Sequence, residues 1–253
     1  MPTKSPTDFA RILAIETATS VQAVALIDGE ELCEHRVRKV AYNHGSTLLK
    51  NVDDVLESCQ LELEDIDLFA VGLGPGSFTG LRVGLATAKG LSRATQRPIV
   101  GISSLAALAY GPARACPQAT VLATIDARRR EVYAGAYRWE RGELACRQED
   151  GAFPPAKWRE CVQANLDGPL VQVGNGVERY ESLRQWDHPD LQTLPPLLVH
   201  PSALSVALLG RDVARRQGTA NRTELEPNYI RPSDARLPEK APGPMPPPPN
   251  AES

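Results

Sequence analysis

The opening of the chain alternates short apolar runs with turn residues. Two runs, Arg11–Ile15 and Val21–Ile27, are separated by a polar segment, and Asp28-Gly29 precedes a third run from Glu30 to Arg38. Runs of this length between turn residues predict strands, and an Asp-Gly pair favours a hairpin. We therefore predict that the chain begins as a three-stranded antiparallel meander.

The pattern then changes to a helical period. Within His44–Leu61, apolar side chains recur at the spacing of one helix face, and Ser46 or Thr47 is placed to cap the helix. An apolar strand, Leu68–Leu73, precedes a second helix of small residues, Leu81–Ala94. This succession of periods indicates an α/β unit.

The same alternation continues through the rest of the chain. A strand at Pro98–Ile102 leads into a short helix that Ser103-Ser104 starts, and Thr120–Ile125 and Glu131–Tyr137 form a second hairpin. A strand at Val171–Val173 follows. The last predicted helix begins after Ser202 and ends near Gly218, which is a typical stop signal.

These elements divide the chain into four parts. We predict an N-terminal extension at 1–10, a first lobe at 11–105, a second lobe at 106–231 that includes the terminal helix at about 202–217, and a tail at 232–253. The tail contains Pro246–Pro249, and such a run favours disorder or polyproline structure.

The composition of the chain disfavours several classes of protein. The chain has 253 residues, 42% of them hydrophobic, and a net charge of −3, so direct tight binding of nucleic acid by this chain alone is not favoured. Its five cysteines are widely spaced with no CxxC pair, which is typical of reduced thiols. No apolar run reaches the length of a membrane span and the N-terminus lacks a signal-peptide core, so we expect a cytoplasmic protein.

The stretch Gly74–Gly80 is the most distinctive motif. Its glycines lie between a strand and a helix, where backbone N–H groups can bind phosphate and Ser77 or Thr79 can cap the helix. Leu81 and Arg82 follow Gly80, so the motif is not a P-loop, and neither glycine frame completes GxGxxG. The favoured alternative is a tight turn that lets the small helix residues approach a sheet or another helix; these residues are Gly84, Ala86, Ala88 and Gly90.

Four segments together resemble one known family. They are Ile12–Ser20 (ILAIETATS), Gly74–Gly84 (GPGSFTGLRVG), Ile125–Tyr133 (IDARRREVY) and Pro227–Arg231 (PNYIR). The stretch from about Arg11 to Arg231 is similar to the TsaB family, a subunit of the tRNA threonylcarbamoyladenosine machinery long labelled glycoprotease-like. The resemblance implies an α/β, two-lobed fold of the actin, Hsp70 and sugar-kinase (ASKHA) type, with a mixed sheet flanked by helices in each lobe.

The resemblance also implies a role. A TsaB-type subunit is a non-catalytic scaffold that activates threonylcarbamoyl transfer to the adenosine next to the anticodon of tRNA. It forms a heterodimer with a TsaD-type transferase, recruits a TsaE-type ATPase and meets tRNA through the complex, and it can form a homodimer without its partner.

The metal pair of the TsaD-type paralogue is absent. That enzyme uses His-x-x-x-His on a helix, whose spacing puts both imidazoles on one face. Here His44 is followed four residues later by Leu48, and the remaining histidines, His35, His188 and His200, lie far off in sequence. We therefore expect no metal site and no catalytic residue, as in a pseudo-enzyme.

Nucleotide binding is a separate question. In the actin-like fold the loop after the first strand meets phosphate, and Glu16, Thr17 and Thr19 occupy that place, with Asp126 as the matching acid of the second lobe. One hypothesis is a weak ATP or ADP groove at these residues. The favoured one is that Glu16 and Asp126 satisfy backbone N–H groups at strand ends and that the chain has no cofactor.

Family resemblance favours a four-helix contact between this chain and the TsaD-type partner, built by the two helices of the first lobe. The predicted interface residues are His44, Leu48, Leu49, Val52, Val55, Leu56, Arg82, Leu85 and Lys89. On this hypothesis Leu48→Asp breaks the heterodimer. The alternative is that these side chains face the chain's own sheet.

Three further hypotheses complete the analysis. Arg128–Arg130 is either a solvated turn or an accessory RNA contact. An ATP-dependent phosphotransferase of the same fold is the alternative function. A peptidase is disfavoured because the chain has neither a paired metal site nor a Gly-x-Ser-x-Gly elbow.

Overall fold

A computed structural model describes residues 9–40, 44–195 and 199–231, without the side chains of residues 44–46. The predictions for the tail, for residues 1–8 and for the side chains of His44 and Ser46 therefore lie outside the described part. Within it, the chain forms two five-stranded mixed sheets flanked by helices.

The first sheet contains the predicted meander and two parallel strands. Its strands are β1 (Arg11–Glu16), β2 (Val21–Asp28), β3 (Glu31–Lys39), β4 (Leu68–Gly72) and β5 (Ile99–Ile102). β1 pairs antiparallel with β2 and parallel with β4, and the sheet order is β3-β2-β1-β4-β5. Its helices are α1 (His44–Ser58) and α2 (Phe78–Thr95), and α3 (Ser104–Ala115) leads to the second lobe.

The second sheet repeats this topology. Its strands are β6 (Thr120–Asp126), β7 (Val132–Glu140), β8 (Glu143–Phe153), β9 (Leu170–Val173) and β10 (Leu191–Thr193). The order β8-β7-β6-β9-β10 matches that of the first sheet, with an antiparallel hairpin on one side of the central strand and parallel strands on the other. The remaining helices are α4 (Pro155–Asn165), α5 (Asn175–Arg179), α6 (Glu181–Arg184) and α7 (Ala203–Gln217).

Both faces of the first sheet are covered. Alternate residues of β1 point to opposite faces, so Leu13 and Ile15 join the core with α1 and α2, whereas Ile12 and Ala14 join the core with α7. The sequence of a strand that is buried on both faces is a continuous apolar run. This explains why β1 is apolar at every position from Ile12 to Ile15.

The terminal helix was predicted with the second lobe, and this assignment is wrong. α7 packs against β1, β2 and β4 of the first sheet, and Val206 and Ala207 lie in that core. Gly210 lets the helix come close, since a Cβ there would lie 2.8 Å from the Cβ of Ala70. The chain thus returns to the first lobe after completing the second.

Several predicted elements are confirmed. The opening meander, the second hairpin and the caps of Ser77, Ser103 and Ser202 appear as expected. α1 begins at His44, so Thr47 lies inside the helix and the cap predicted there is wrong. The polar strand β8 was not predicted. It lies at the edge of the second sheet beside β7, and because an edge strand is less buried it lacks the apolar pattern of a central strand.

The glycine-rich loop between β4 and α2 packs against the turn between β1 and β2. Ser77 N donates to Ala18 O over 2.7 Å, and Thr17 Oγ1 donates to Gly80 O over 2.9 Å. A Cβ on Gly76 or Gly80 would lie 2.2 Å from the carbonyl oxygen of Ala18 or Thr17. The glycines are therefore required for a backbone-to-backbone contact. Of the helix residues predicted to approach the sheet closely, Gly84 and Ala88 are buried as expected, whereas Ala86 and Gly90 are exposed and that part of the prediction is wrong.

The structure corrects part of the predicted partner surface. Five of the predicted side chains are buried in the core between the first sheet and helices α1 and α2; they are Leu48, Val52, Val55, Leu56 and Leu85. They face the chain's own sheet because the apolar stripe of each helix is needed to cover it. On α1, Leu49 is the member of the predicted set that is exposed, at 51%.

Among the described helices, none has the length and hydropathy that a membrane span requires.

We predict that Leu48→Asp unfolds the first lobe instead of acting at a partner surface. Leu48 is 0% exposed, and a carboxylate there would cost more than about 3 kcal/mol of unfolding free energy. Leu49→Asp, one residue on at an exposed site, should change stability by less than about 0.5 kcal/mol. Urea unfolding measures the unfolding free energy of both variants. Equal losses of unfolding free energy would contradict the assignment of Leu48 to the buried face of α1 and of Leu49 to its exposed face.

We also predict opposite effects for two glycines of α2. Gly80→Ala should destabilise the protein by about 1–3 kcal/mol, because the new Cβ meets the backbone of Thr17. Gly90 has no atom within 4 Å of its Cβ position, so Gly90→Ala should stabilise the protein by about 0.5–1 kcal/mol. Thermal or urea unfolding distinguishes them, and a neutral Gly80→Ala would show that the loop does not depend on close approach.

Candidate functional site in the cleft between the lobes

A cleft of about 520 Å³ lies between the two lobes. Its first-lobe wall comes from the turn after β1 and from the start of α2, and its second-lobe wall from the turn after β6 and from Asn175. The C-terminal segment from Asn228 to Arg231 lines it as well. The cleft therefore occupies the carboxyl ends of the central strands, where open α/β sheets bind ligands.

The structure separates the predicted nucleotide residues. Thr19 and Asp126 line the cleft, whereas Glu16 and Thr17 lie behind its wall. Thr17 is fully buried and its hydroxyl is used by Gly80 O. Two of the four predicted residues thus share the site.

Glu16 is a buried carboxyl group that its own chain uses. It is 2% exposed and accepts hydrogen bonds from Ala18 N over 2.6 Å and from Ser104 Oγ over 2.8 Å. Burial raises the pKa of Glu16, and the hydrogen bonds from Ala18 and Ser104 counter part of that shift. The carboxyl group holds the β1 turn to the start of α3.

Asp126 has a similar structural environment at the end of β6. Its Oδ1 accepts from Arg128 N over 2.9 Å and from Tyr180 Oη over 3.1 Å. Its own N–H donates to Asn175 Oδ1 over 2.9 Å. These bonds order the turn that forms the second-lobe wall of the cleft, as the favoured hypothesis for this residue requires.

Three arginines follow in an unusual backbone conformation. Arg128, Arg129 and Arg130 have φ angles of 59°, 49° and 65°, a region that non-glycine residues seldom occupy. Arg128 lines the cleft, and all three residues are exposed. The turn presents cationic side chains at the cleft mouth, and an RNA contact by them stays a prediction.

A hydrogen-bonded cluster ties the start of α3 to the second sheet. Ser103 Oγ, which also caps α3, donates to Asp150 Oδ2 over 2.6 Å, and Tyr137 Oη donates to the other carboxylate oxygen of Asp150. Burial raises the pKa of Asp150, and the bonds from Ser103 and Tyr137 lower it in part. Ser103 thus binds the second lobe while the adjacent Ser104 binds Glu16 of the first.

Neither this cluster nor the contacts of the C-terminal segment were predicted from the sequence. Pro227–Arg231 was noted there only as part of a resemblance. Arg82 Nε donates to Tyr229 Oη over 2.9 Å, and the rings of Phe78 and Tyr229 lie 5.1 Å apart. At the other end, Arg231 donates to Ala127 O over 2.8 Å and to the carboxylate of Glu131. A pair of serines at a strand-to-helix joint was the available signal for the cluster.

Two glycines and one acid of the predicted phosphate site make contacts within the chain. The positions nearest Gly76 and Gly80 are filled by the carbonyl groups of Ala18 and Thr17, so the loop is packed against protein. Glu16, the acid after the first strand, is bonded to backbone and to Ser104. Among the described residues, no group of three or more His, Cys, Asp or Glu side chains is placed to hold a metal ion.

Comparison with known proteins identifies the relatives of this chain. A family model described as TsaD, tRNA N6-adenosine threonylcarbamoyltransferase, matches residues 38–159. The tRNA threonylcarbamoyladenosine biosynthesis protein TsaB of Escherichia coli is 37% identical over 174 residues, which are 68% of this chain and 74% of that protein. TsaB of Haemophilus influenzae is 31% identical over 87% of this chain and 93% of that protein.

Solved structures agree with the sequence relatives. A Pseudomonas aeruginosa protein with similarity to peptidase YeaZ superposes with a TM-score of 0.76 at 29% identity, covering 88% of this chain and 100% of that one. Component A of (R)-2-hydroxyglutaryl-CoA dehydratase from Acidaminococcus fermentans, at a TM-score of 0.53 and 12% identity, covers 81% of this chain and 99% of that one and shares the fold alone. The predicted two-lobed actin-like fold is confirmed, and so is the resemblance: this chain belongs to the TsaB family.

Proposed function

We propose that this chain is a non-catalytic, activating subunit for threonylcarbamoyl transfer to the adenosine next to the anticodon of tRNA. It acts in the cytoplasm as a heterodimer with a TsaD-type transferase, and the heterodimer recruits a TsaE-type ATPase. tRNA is bound by the complex as a whole, since this chain has a net charge of −3 and no general basic field.

The assignment to this pathway is supported mainly by sequence identity across nearly the whole length of a named relative. The Haemophilus influenzae protein, 31% identical over 93% of its own length, is named for tRNA threonylcarbamoyladenosine biosynthesis. The pathway is therefore the best-supported assignment for this chain.

The non-catalytic role is supported by the residues at the positions where a metal ligand or a catalytic acid would be expected. Leu48, four residues after His44, is an apolar core side chain, so the α1 position of a second imidazole is used for packing. Glu16 and Asp126 are both engaged by N–H and hydroxyl donors of their own chain. The metal and the acyl transfer belong to the partner on this account.

The partner face proposed here is smaller than the one predicted from sequence. α1 and α2 pack side by side over one face of the first sheet, and their outer surface carries exposed Leu49 and Arg82 with half-buried Lys89. An exposed apolar side chain on α1 and two cations on α2 suit a partner helix that bears apolar and acidic residues. A second copy of this chain would use the same face when the partner is absent.

The alternative, an ATP-dependent phosphotransferase, has less support. The glycine loop is packed against the chain's own turn, and the acids that would position magnesium or water already have donors. We propose that nucleotide binding by the isolated chain is weak at most and serves no turnover.

The heterodimer is tested with Leu49→Asp and Arg82→Glu. Each places an anion on the proposed face at an exposed site, so the fold should persist while association with the TsaD-type partner falls by roughly tenfold or more. Affinity is measured by titration calorimetry with the purified partner. The threonylcarbamoyladenosine content of tRNA is measured in cells where the variant is the sole copy.

Lys157→Gln on α4 is the matched control, because it changes an exposed charge in the other lobe. It should leave both affinity and tRNA modification as in the unaltered chain. If Leu49→Asp and Arg82→Glu also bind the partner normally, the outer face of α1 and α2 is not the interface.

A further inference from the structure

The segment from Leu225 to Arg231, which we call the strap, crosses from one lobe to the other. Leu225 packs in the first-lobe core, and Asn228 N donates to Leu73 O over 2.8 Å. Ile230 packs in the second-lobe core that contains β6 and α3. A short length of chain is thus anchored on both sides of the cleft.

The two ends of the strap are fixed by different interactions. On the second lobe, the guanidinium of Arg231 binds the Glu131 carboxylate and Ala127 O, both at the β6–β7 turn. On the first lobe, Tyr229 meets Arg82 and Phe78. The second-lobe anchor is a charge-assisted pair that is mostly shielded, with both side chains less than a third exposed.

The contact of the strap with Arg82 on the first lobe is more exposed to solvent than its contact with Glu131 on the second lobe. Tyr229 is 40% exposed, and Arg82, whose guanidinium carbon lies 3.8 Å from the centre of the Phe78 ring, is exposed on α2. Contacts of exposed side chains are weak, since water competes for them. A protein that docks on the outer face of α2 therefore competes directly for the group that holds Tyr229.

We propose that the strap is a latch between the lobes, and that docking of a protein partner on the outer face of α2 withdraws Arg82 from Tyr229 and loosens the strap around Asn228 and Tyr229, while Leu225 stays packed against the first-lobe core. The strap lines the cleft along Asn228–Arg231, so its release changes the cleft wall. This inference rests on the proposed partner face and adds a conformational response to it. The partner surface would supply a carboxylate for Arg82, which is the group that a guanidinium binds best.

Thermodynamic reciprocity makes the latch testable away from the interface. If partner binding releases the strap, then loosening the strap at its far end should tighten partner binding, because less free energy is then needed for the release. Arg231→Gln loosens that end without touching α2. It should raise amide hydrogen exchange at Asn228 in the free chain and strengthen binding of the TsaD-type partner by roughly fivefold.

The first measurement follows Asn228 exchange in the unaltered chain with and without the purified partner. Faster exchange of Asn228 in the complex, alongside slower exchange of amides in α1 and α2, is the expected result. Tyr229→Phe keeps the ring against Phe78 and removes the hydroxyl that accepts from Arg82. In the free chain it should raise Asn228 exchange less than Tyr229→Ala does.

Lys157→Gln serves again as the charge-matched control and should alter neither exchange nor affinity. A complex in which Asn228 exchange is unchanged or slowed would overturn the release, as would unchanged or weaker binding by Arg231→Gln. Failure of the unaltered chain to bind the partner at all would instead contradict the proposed function, and the release with it.

Discussion

The contact of the β1–β2 turn with the glycine-rich loop and the first turn of α2 is the constraint on which the rest of the structure depends. Thr17 and Ala18 place their carbonyl groups where a Cβ on Gly80 or Gly76 would otherwise lie, and Ser77 N binds Ala18 O. Side chains larger than hydrogen cannot be accommodated at that distance. The contact fixes α2 on the sheet, and with it the first-lobe wall of the cleft and the outward direction of Arg82.

The same contact converts a potential ligand loop into a structural joint. In a phosphate-binding loop the N–H groups and glycines face an anion, whereas here the glycines face protein backbone. Glu16 continues the joint to Ser104 at the start of α3, and Ser103 carries it to Asp150 of the second sheet. The centre of the fold is thus held together by contacts that join the β1–β2 turn, the glycine loop, α3 and the second sheet.

Much of the local structure was predictable because its causes are local. The Asp28-Gly29 hairpin and the caps at Ser77 and Ser202 depend on a few neighbouring residues. Which face of α1 is buried could not be predicted in the same way. Leu48 and Leu49 are adjacent leucines, and only the position of the sheet decides which of them is buried. The strap could not be predicted either, because Arg82 and Tyr229 are 147 residues apart and no periodicity marks a segment that is anchored to the lobes by long-range contacts. The placement of α7 on the first sheet has the same cause.

The central claim is that this chain assists a transfer reaction whose chemistry belongs to its partner. The most direct measurement is threonylcarbamoyl transfer to unmodified tRNA with purified components, in which the chain, the TsaD-type transferase and the TsaE-type ATPase are each omitted in turn beside the enzyme that forms the threonylcarbamoyl adenylate. The account predicts modification only when the chain and the transferase are both present, and none with the chain as the sole transferase candidate. Transfer by this chain without the TsaD-type protein, or equal transfer by the TsaD-type protein without this chain, would contradict it.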